Sequence, residues 1–314
     1  MIKINGAITV SIIIATYNRV KFIGTTLDSI LNQTYFNYEV IIVDDGGTDN
    51  TREVLRNYIN DPKFKFYERP KEYPKGCPGS RNFGLTKAQG EFIWFFDDDD
   101  IAHPDLLENC ISELKNIKND FCRFERTVFY DFEKIEFEET TNLKIENITK
   151  KNLKQLINGE LPFNSCQVIW RKAALGKEHF RGDIIYADDW EFYSRLLSMG
   201  LKGVSIDKIL LFARKHSGSA THKYKSGNKK IMNSVILANF SVIDLAIKEK
   251  IMDRQLFKFF YRRAIFFNSY PIVKYLVEKS NLNLLNKIKY KFGYKFYPLI
   301  EPVFKLKAKV KRIF

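Results

Sequence analysis

The chain has 314 residues, 51 of them basic and 37 acidic, for a formal net charge of +14. That length can bury a sizeable core in one large domain or two, and the positive balance points to an anionic partner: nucleotide phosphates, nucleic acid or an acidic membrane surface. Cys77, Cys110, Cys122 and Cys166 form no C-x-x-C pair, which argues against a zinc ribbon or a dithiol redox motif and leaves reduced thiols as the expectation.

Residues 1–6 read as a short lead into a strand and lack the apolar core and cleavage site of a signal peptide. No run approaches the ~20 apolar residues needed to span a bilayer. A cytoplasmic protein is expected.

Strands and helices then alternate. Residues 9–15 are a continuous β-branched run, a fully buried strand, ending in the polar loop 16–19. Ile23, Leu27, Ile30 and Leu31 give one apolar helical face. A second buried strand, 39–43, runs into Asp44, Asp45, Gly46 and Gly47, where the glycines let a ligand approach the backbone. Asp49 is a suitable N-cap for a helix through Tyr58, and 63–67 alternates with the period of a half-solvated strand. The loop 68–79, rich in Pro, Gly and Lys, leads to a helix from Ser80 to Ala88 that carries Arg81 and Asn82. Repeated strand-to-helix units with acidic strand ends argue for a nucleotide-binding α/β half. Neither G-x-G-x-x-G nor a P-loop signature is present.

The apolar strand 91–96 runs straight into Asp97, Asp98, Asp99 and Asp100. An acidic run alone is usually a solvated turn. Behind a buried parallel strand it lies where α/β sheets bind ligands. Crowded carboxylates repel one another, and a hard divalent cation, Mg²⁺ or Mn²⁺, is the simplest compensation. Pro104 opens a helix with Leu106, Leu107, Cys110, Ile111 and Leu114 on one face. Residues 121–132 read as a long strand, 133–147 as a surface hairpin or excursion, 150–158 as a helix, and 163–171 as the strand that ends the continuous core.

The second loaded stretch is 186–193, with Asp188, Asp189 and Glu191 in the first turn of a helix continued by Leu196 and Leu197. Acids there can simply complement the helix dipole. Asp189 beside Trp190 has a setting in which a carboxylate gains the basicity of a general base.

In order and spacing, residues 10–18 (VSIIIATYN), 43–46 (VDDG), 80–82 (SRN), 96–100 (FDDDD) with Pro104 and Asp105, and the pair Asp188-Asp189 resemble the inverting GT-A glycosyltransferases of family 2. The likeness covers about residues 8–215, and it looks like a bacterial member that builds surface polysaccharide. It implies a Rossmann-like, mostly parallel sheet flanked by helices. It also implies that Ala15, Thr16 and Tyr17 lie against a nucleoside, that Asp45 bonds the uracil, and that Arg81 and Asn82 approach the donor diphosphate or sugar. Asp99 matches the metal-binding acid of the D-x-D motif, with Asp97 and Asp98 near ribose and metal. Asp189 matches the catalytic base; Asp188 stands where relatives commonly carry Glu, which weakens an acceptor-binding role for it. Arg214, Lys215 and His216, with Ser217, Gly218 and Ser219, resemble the loop that closes over the diphosphate, where His216 would touch phosphate or metal; its other reading is an exposed loop histidine. His103, His179 and His222 carry no motif and read as surface residues. The Gln-x-x-Arg-Trp signature of processive synthases is absent; Gln167 to Arg171 holds those residue types in the wrong order, so a single-addition enzyme is expected.

Residues 229–267 read as two helices with Ile231, Val235, Ile236 and Phe240 on one face. Residues 281–314 contain nine basic residues (Lys287, Lys289, Lys291, Lys295, Lys305, Lys307, Lys309, Lys311, Arg312) and one acid, Glu301, interleaved with Tyr290, Phe292, Tyr294, Phe296, Tyr297, Phe304 and Phe314. Such a mixture fits adsorption to an anionic bilayer; a solvated tail is the alternative, and no nucleic-acid module accompanies the charges. The division expected is 1–220 as catalytic domain (1–100 nucleotide-binding, 101–220 acceptor-binding) and 221–314 as a helical, basic, membrane-associating region. The function expected is transfer of one hexose, glucose or galactose, from a UDP-sugar with inversion to a polyprenyl-diphosphate-linked saccharide, in O-antigen or capsule assembly on the inner face of the inner membrane. The competing readings are a sugar nucleotidyltransferase, whose Gly-rich phosphate loop is missing, and a non-catalytic scaffold of the same fold.

Overall fold

The first strand, β1 (Val10–Thr16), is the hinge of the sheet. It pairs in parallel with β2 (Tyr38–Asp44) on one side and with β4 (Phe92–Asp97) on the other, in a register that sets Ala15 beside both Val43 and Asp97. Three strands therefore end level, and their polar loops emerge at one carboxyl edge. The computed structural model describes residues 10–130, 133, 135–137, 143–216 and 228–310, with side chains described through residue 297. The expectations for residues 1–6, Ser217, Gly218, Ser219, His222, Lys311, Arg312 and Phe314, and for the side chains of Glu301, Phe304, Lys305, Lys307 and Lys309, lie outside the described residues.

The strand order is β3-β2-β1-β4-β8-β6-β9-β5, with β3 (Phe64–Glu68), β5 (Ile101–Ala102), β6 (Phe121–Phe129), β8 (Val168–Arg171) and β9 (Gly203–Arg214); β7 (Ile145–Ile148) pairs with β9. The parallel run stops at β4. β8 is antiparallel to both its neighbours, while β9 returns parallel to β6. Residue alternation along the inner strands splits the core in two. Ile12, Ile14, Ile42, Trp94 and Phe96 face α1 (Ile23–Leu31) and α4 (Leu106–Leu114). Ile13, Ile41, Val43, Ile93 and Phe95 face α3 (Cys77–Lys87) and α7 (Asp188–Ser198). α3 packs so close to β1 that a Cβ on Gly84 would lie 2.5 Å from the Ile13 side chain.

Several expectations change. The core does not end at Arg171: β9 is a twelve-residue strand bonded to β5, β6 and β7. Part of the expected 133–147 excursion is β7, drawn into the sheet by that strand. Residues 165–167 form a 3₁₀ turn, so β8 begins only at Val168. α2 (Thr51–Leu55) stops short of Tyr58, and α3 starts before Ser80 because Pro78 is favoured in a helix's first turn. His103 is buried, 4% exposed, its Nδ1 accepting from Asp105 N at 3.1 Å while its carbonyl takes Gln33 Nε2 at 2.7 Å.

Two short helices, α5 (Leu153–Asn158) and α6 (Lys172–Leu175), flank β8. The C-terminal part is α8 (Lys229–Lys248), α9 (Arg254–Phe266), α10 (Tyr270–Lys279) and α11 (Leu284–Val310). By length and composition α8 is apolar enough to cross a membrane, contrary to the reading of the sequence. It lies instead in the core: Val235, Val242, Ile243 and Ala246 are buried, and Ser234 Oγ bonds both the N–H and the carbonyl of Tyr186, at 2.8 and 3.0 Å. Leu256, Phe260, Ile272 and Leu276 join the same apolar cluster as the sheet.

Candidate active site

A cavity of about 610 Å³ opens at the carboxyl edge of β1, β2 and β4. Its lining includes Ala15, Thr16, Tyr17, Asp45, Arg81, the four aspartates 97–100, Asp188 and Asp189. Two stretches almost ninety residues apart in sequence thus face one space. β4 delivers the aspartates because its apolar residues are buried on both faces and its chain must turn where the sheet ends. α7 delivers Asp188 and Asp189 in its first turn, where the helix dipole favours anions. The preceding residue, Ala187, holds φ 61°, ψ 26°, a conformation that a side chain with Cβ adopts at a cost and that clusters at functional sites.

Arg81 joins the two stretches. Its Nη2 donates to Asp97 Oδ1 at 2.6 Å and its Nη1 to Asp188 Oδ2 at 2.9 Å, with the guanidinium buried. Asp189 Oδ2 accepts from Ser165 N at 3.0 Å and its Oδ1 from Trp190 N at 2.7 Å. Burial pushes both carboxyls of α7 up, against the opposing pull of Arg81; for Asp188, with Asp189 beside it, the result is about 6.

Each of the remaining aspartates has its own partner. Arg19 Nε donates to Asp98 Oδ1 at 2.9 Å and its Nη2 lies 3.4 Å from Asp99 Oδ2. Asp99 Oδ2 also meets His216 Nε2 at 2.9 Å, and the His216 ring packs on Phe22. Asp100 Oδ1 accepts from Arg214 N at 3.0 Å. These partners do not fully offset burial. The Asp98 carboxyl is pushed up to about 7 by burial, with Arg19 opposing and Asp99 adding to the rise, and Asp100 is pushed up by burial, then by Asp97 and Asp99. A crowded, under-compensated carboxylate set suits a divalent cation. Ligand atoms of Asp97, Asp100 and Cys166 lie within 4.8 Å of one another. Burial holds the Cys166 thiol well above its usual range, so it remains a weak donor, and the hard oxygen ligands are the carboxylates.

Of the residues singled out in the sequence, Asn82 turns away. It accepts from Phe180 N and donates to Phe180 O at 3.0 and 2.8 Å, fastening α3 to the 176–182 loop. His216 reaches the site through Asp99 and is only 8% exposed in its side chain, so it is not a free loop histidine. Glu191 is a structural acid, held by Arg195 and by Ser241 Oγ at 2.9 Å. Asp45 accepts a hydrogen bond from Arg69 Nε, a partner the sequence did not suggest. Arg19, Arg126, Arg263, Phe266 and Phe267 also line the cavity. Arg19 could have been noticed as a cation in a strand-end loop. Arg263, whose guanidinium lies 4.2 Å from the Trp190 ring, comes from α9 and carried no local signal.

The family model of glycosyl transferase family 2 matches residues 11–180, more than half of the chain and ending just before the Asp188-Asp189 pair. The Escherichia coli protein named UDP-Glc:alpha-D-GlcNAc-diphosphoundecaprenol beta-1,3-glucosyltransferase WfaP is 30% identical over 220 residues, 69% of this chain and 81% of that protein. Staphylococcus aureus TarS 1-349, crystallised with UDP-GlcNAc, has a TM-score of 0.64 at 22% identity, over 86% of this chain and 79% of its own. A mannosyltransferase from Pyrobaculum calidifontis, in complex with GDP-Man and Mn²⁺, has a TM-score of 0.55 at 16% identity, over 98% and 81%. The chain spans only 14% and 39% of two further relatives, uncharacterized glycosyltransferases of Rickettsia bellii and Haemophilus influenzae. The shared fold is the GT-A fold. With the match extending through the strand-end aspartates, the chain belongs to glycosyl transferase family 2.

Proposed function

We propose that this protein transfers one hexose from a UDP-sugar, with inversion to a β-linkage, onto a saccharide carried by a polyprenyl diphosphate, in the assembly of bacterial O-antigen or capsule. The observation that carries the proposal is the meeting of Asp189 and the four aspartates across one cavity, with Arg81 bonded to both sides. The activity for which the relative WfaP is named supports the acceptor class and makes glucose the favoured hexose. In this reading residues 1–100 hold the nucleotide, 101–220 the acceptor, and 221–314 both complete the cavity and meet the membrane's inner face.

The uracil would lie along Ala15, Thr16 and Tyr17 and bond Asp45, whose carboxylate Arg69 holds in place. A bound Mg²⁺ or Mn²⁺, held by Asp97 and Asp99, would neutralise charge on the leaving diphosphate. Arg81 and Arg19 supply the chain's own positive charge beside those aspartates, and His216 Nε2 meets Asp99 Oδ2. Asp189 removes the proton from the acceptor hydroxyl, whose oxygen attacks the anomeric carbon as the bond to the diphosphate breaks on the opposite face. The proton ends on the Asp189 carboxylate and configuration inverts in one displacement. The backbone N–H groups of Ser165 and Trp190 fix that carboxylate, and its burial raises its basicity.

Thermal unfolding with UDP, GDP, dTDP or CMP, each with Mn²⁺ or with EDTA, tests the donor half. A ligand at 100 times its dissociation constant adds about 2.7 kcal/mol. A shift with UDP that requires Mn²⁺ is expected. Stabilisation by no nucleotide would favour a non-catalytic scaffold of the same fold.

A further inference from the structure

The helix α11 is turned inside out for a water-facing helix. Its tyrosines point inward: Tyr290 packs on Phe257 and Tyr261 with ring centroids 4.7 and 5.1 Å away, and Tyr294 lies on Tyr270 at 5.7 Å with its hydroxyl 3.1 Å from Asn268 Oδ1. Its bare hydrocarbons point outward. Leu284 is 72% exposed, Leu285 77%, Ile288 45%, Phe292 56% and Phe296 53%. Spaced three and four residues apart, these five share one face, an arc of about 120° at 100° per residue. Contiguous apolar surface of this kind marks an interaction site rather than chance exposure.

Charge identifies the partner. Lys287, Lys289 and Lys295 lie on or beside the stripe, Lys291 pairs with Glu278 at 3.3 Å, and no acid occurs from 284 to 297. A second copy meeting this face about a two-fold axis would set lysines against lysines with no acid on that face to pair them. A bilayer containing anionic lipid satisfies both features: hydrocarbon for the stripe and phosphate for the ammonium groups, whose stems can snorkel from the apolar boundary. We propose that the outward face of α11 lies flat on an anionic membrane surface through Leu284, Leu285, Ile288, Phe292 and Phe296. The other C-terminal helices are committed to the core, so attachment belongs to α11 and not to the region from 221 onward as a whole.

Co-sedimentation of the full chain with vesicles of phosphatidylcholine, alone or mixed equally with phosphatidylglycerol, tests this directly. Binding at least about tenfold tighter to the anionic vesicles is expected, because several lysines contribute at the surface. Phe292→Asp should weaken that binding at least about tenfold, and Lys287→Glu with Lys289→Glu should remove the preference for anionic lipid, both with unchanged circular dichroism and melting temperature. Equal binding to both vesicles, no binding, or a lipid-free dimer abolished by Phe292→Asp would overturn the proposal. The UDP-dependent thermal shift should survive in Phe292→Asp, so loss of membrane binding is distinguishable from failure of the transfer reading.

Discussion

Arg81 Nη2 lies 2.6 Å from Asp97 Oδ1 while its Nη1 lies 2.9 Å from Asp188 Oδ2, and the two bonds together tie the sheet edge to the helix that carries Asp189. The guanidinium fork is what allows one side chain to hold two carboxylates at once. Arg81→Lys keeps the charge but loses the second bond, so sugar transfer should fall more than about tenfold with modest loss of stability. Arg81→Ala leaves Asp188 buried without its cation and should cost about 3–5 kcal/mol. Activity assays and chemical denaturation separate the two effects. A lysine variant with full activity would show that the bridge does not position the site.

Asp100 is a buried carboxyl whose proton affinity is raised in the folded state by burial and by Asp97 and Asp99. A group held above its unfolded value favours the fold below that value, near 4, and the advantage is lost as pH rises from there through the raised value of the folded state. Toward neutral pH the buried carboxyl therefore opposes folding when no cation is bound. Asp100→Asn keeps an acceptor for Arg214 N and removes the ionisable group. Its melting temperature in EDTA should exceed that of the wild type by roughly 2–4 °C per kcal/mol relieved, and the wild type should gain more than the variant from added Mn²⁺.

Much of this was readable in advance, and the reasons are local. β1, β2 and β4 announce themselves as unbroken apolar runs because a parallel strand is buried on both faces, and the acids that follow them must then lie at the sheet edge. β9 was missed although Val204, Ile206, Leu210 and Leu211 are buried. Exposed Asp207 and Ile209 and the register shifts of its pairing with β6 break a simple pattern. The Arg69–Asp45 and Arg81–Asp188 pairs span 24 and 107 residues, and Arg263 and Phe266 reach the cavity only because α9 packs on the α7 side of the sheet. Such contacts depend on tertiary packing, which no window of sequence contains.

Arg69 holds Asp45 through its Nε and the carbonyls of Pro70 and Tyr73 through Nη1. Arg69→Met should free the Asp45 carboxylate and weaken UDP binding by about tenfold, the value of one charge-assisted bond, while leaving Mn²⁺ affinity unchanged. Calorimetric titration with UDP and with Mn²⁺ checks both halves of the expectation.

The Asp188-Asp189 pair must shed its protons for Asp189 to act as a base. Burial raises both carboxyls, Asp188 to about 6, so the acid limb of the rate profile should lie above the ordinary aspartate range. Because neighbouring acids titrate as a pair, Asp188→Asn should move the acid limb to lower pH. A rate profile flat from pH 5 to 8 would contradict the assignment.

The most direct test is transfer of glucose from UDP-glucose to an N-acetylglucosamine linked through diphosphate to a lipid, comparing the wild type with Asp189→Asn at saturating donor. The account expects a β-linked disaccharide product from the wild type and a fall of about 10²–10⁴ in rate for the variant, with UDP affinity unchanged. An Asp189→Asn protein that transfers sugar as fast as the wild type would remove the base from the mechanism and, with it, the claim that the two acidic stretches form one catalytic site.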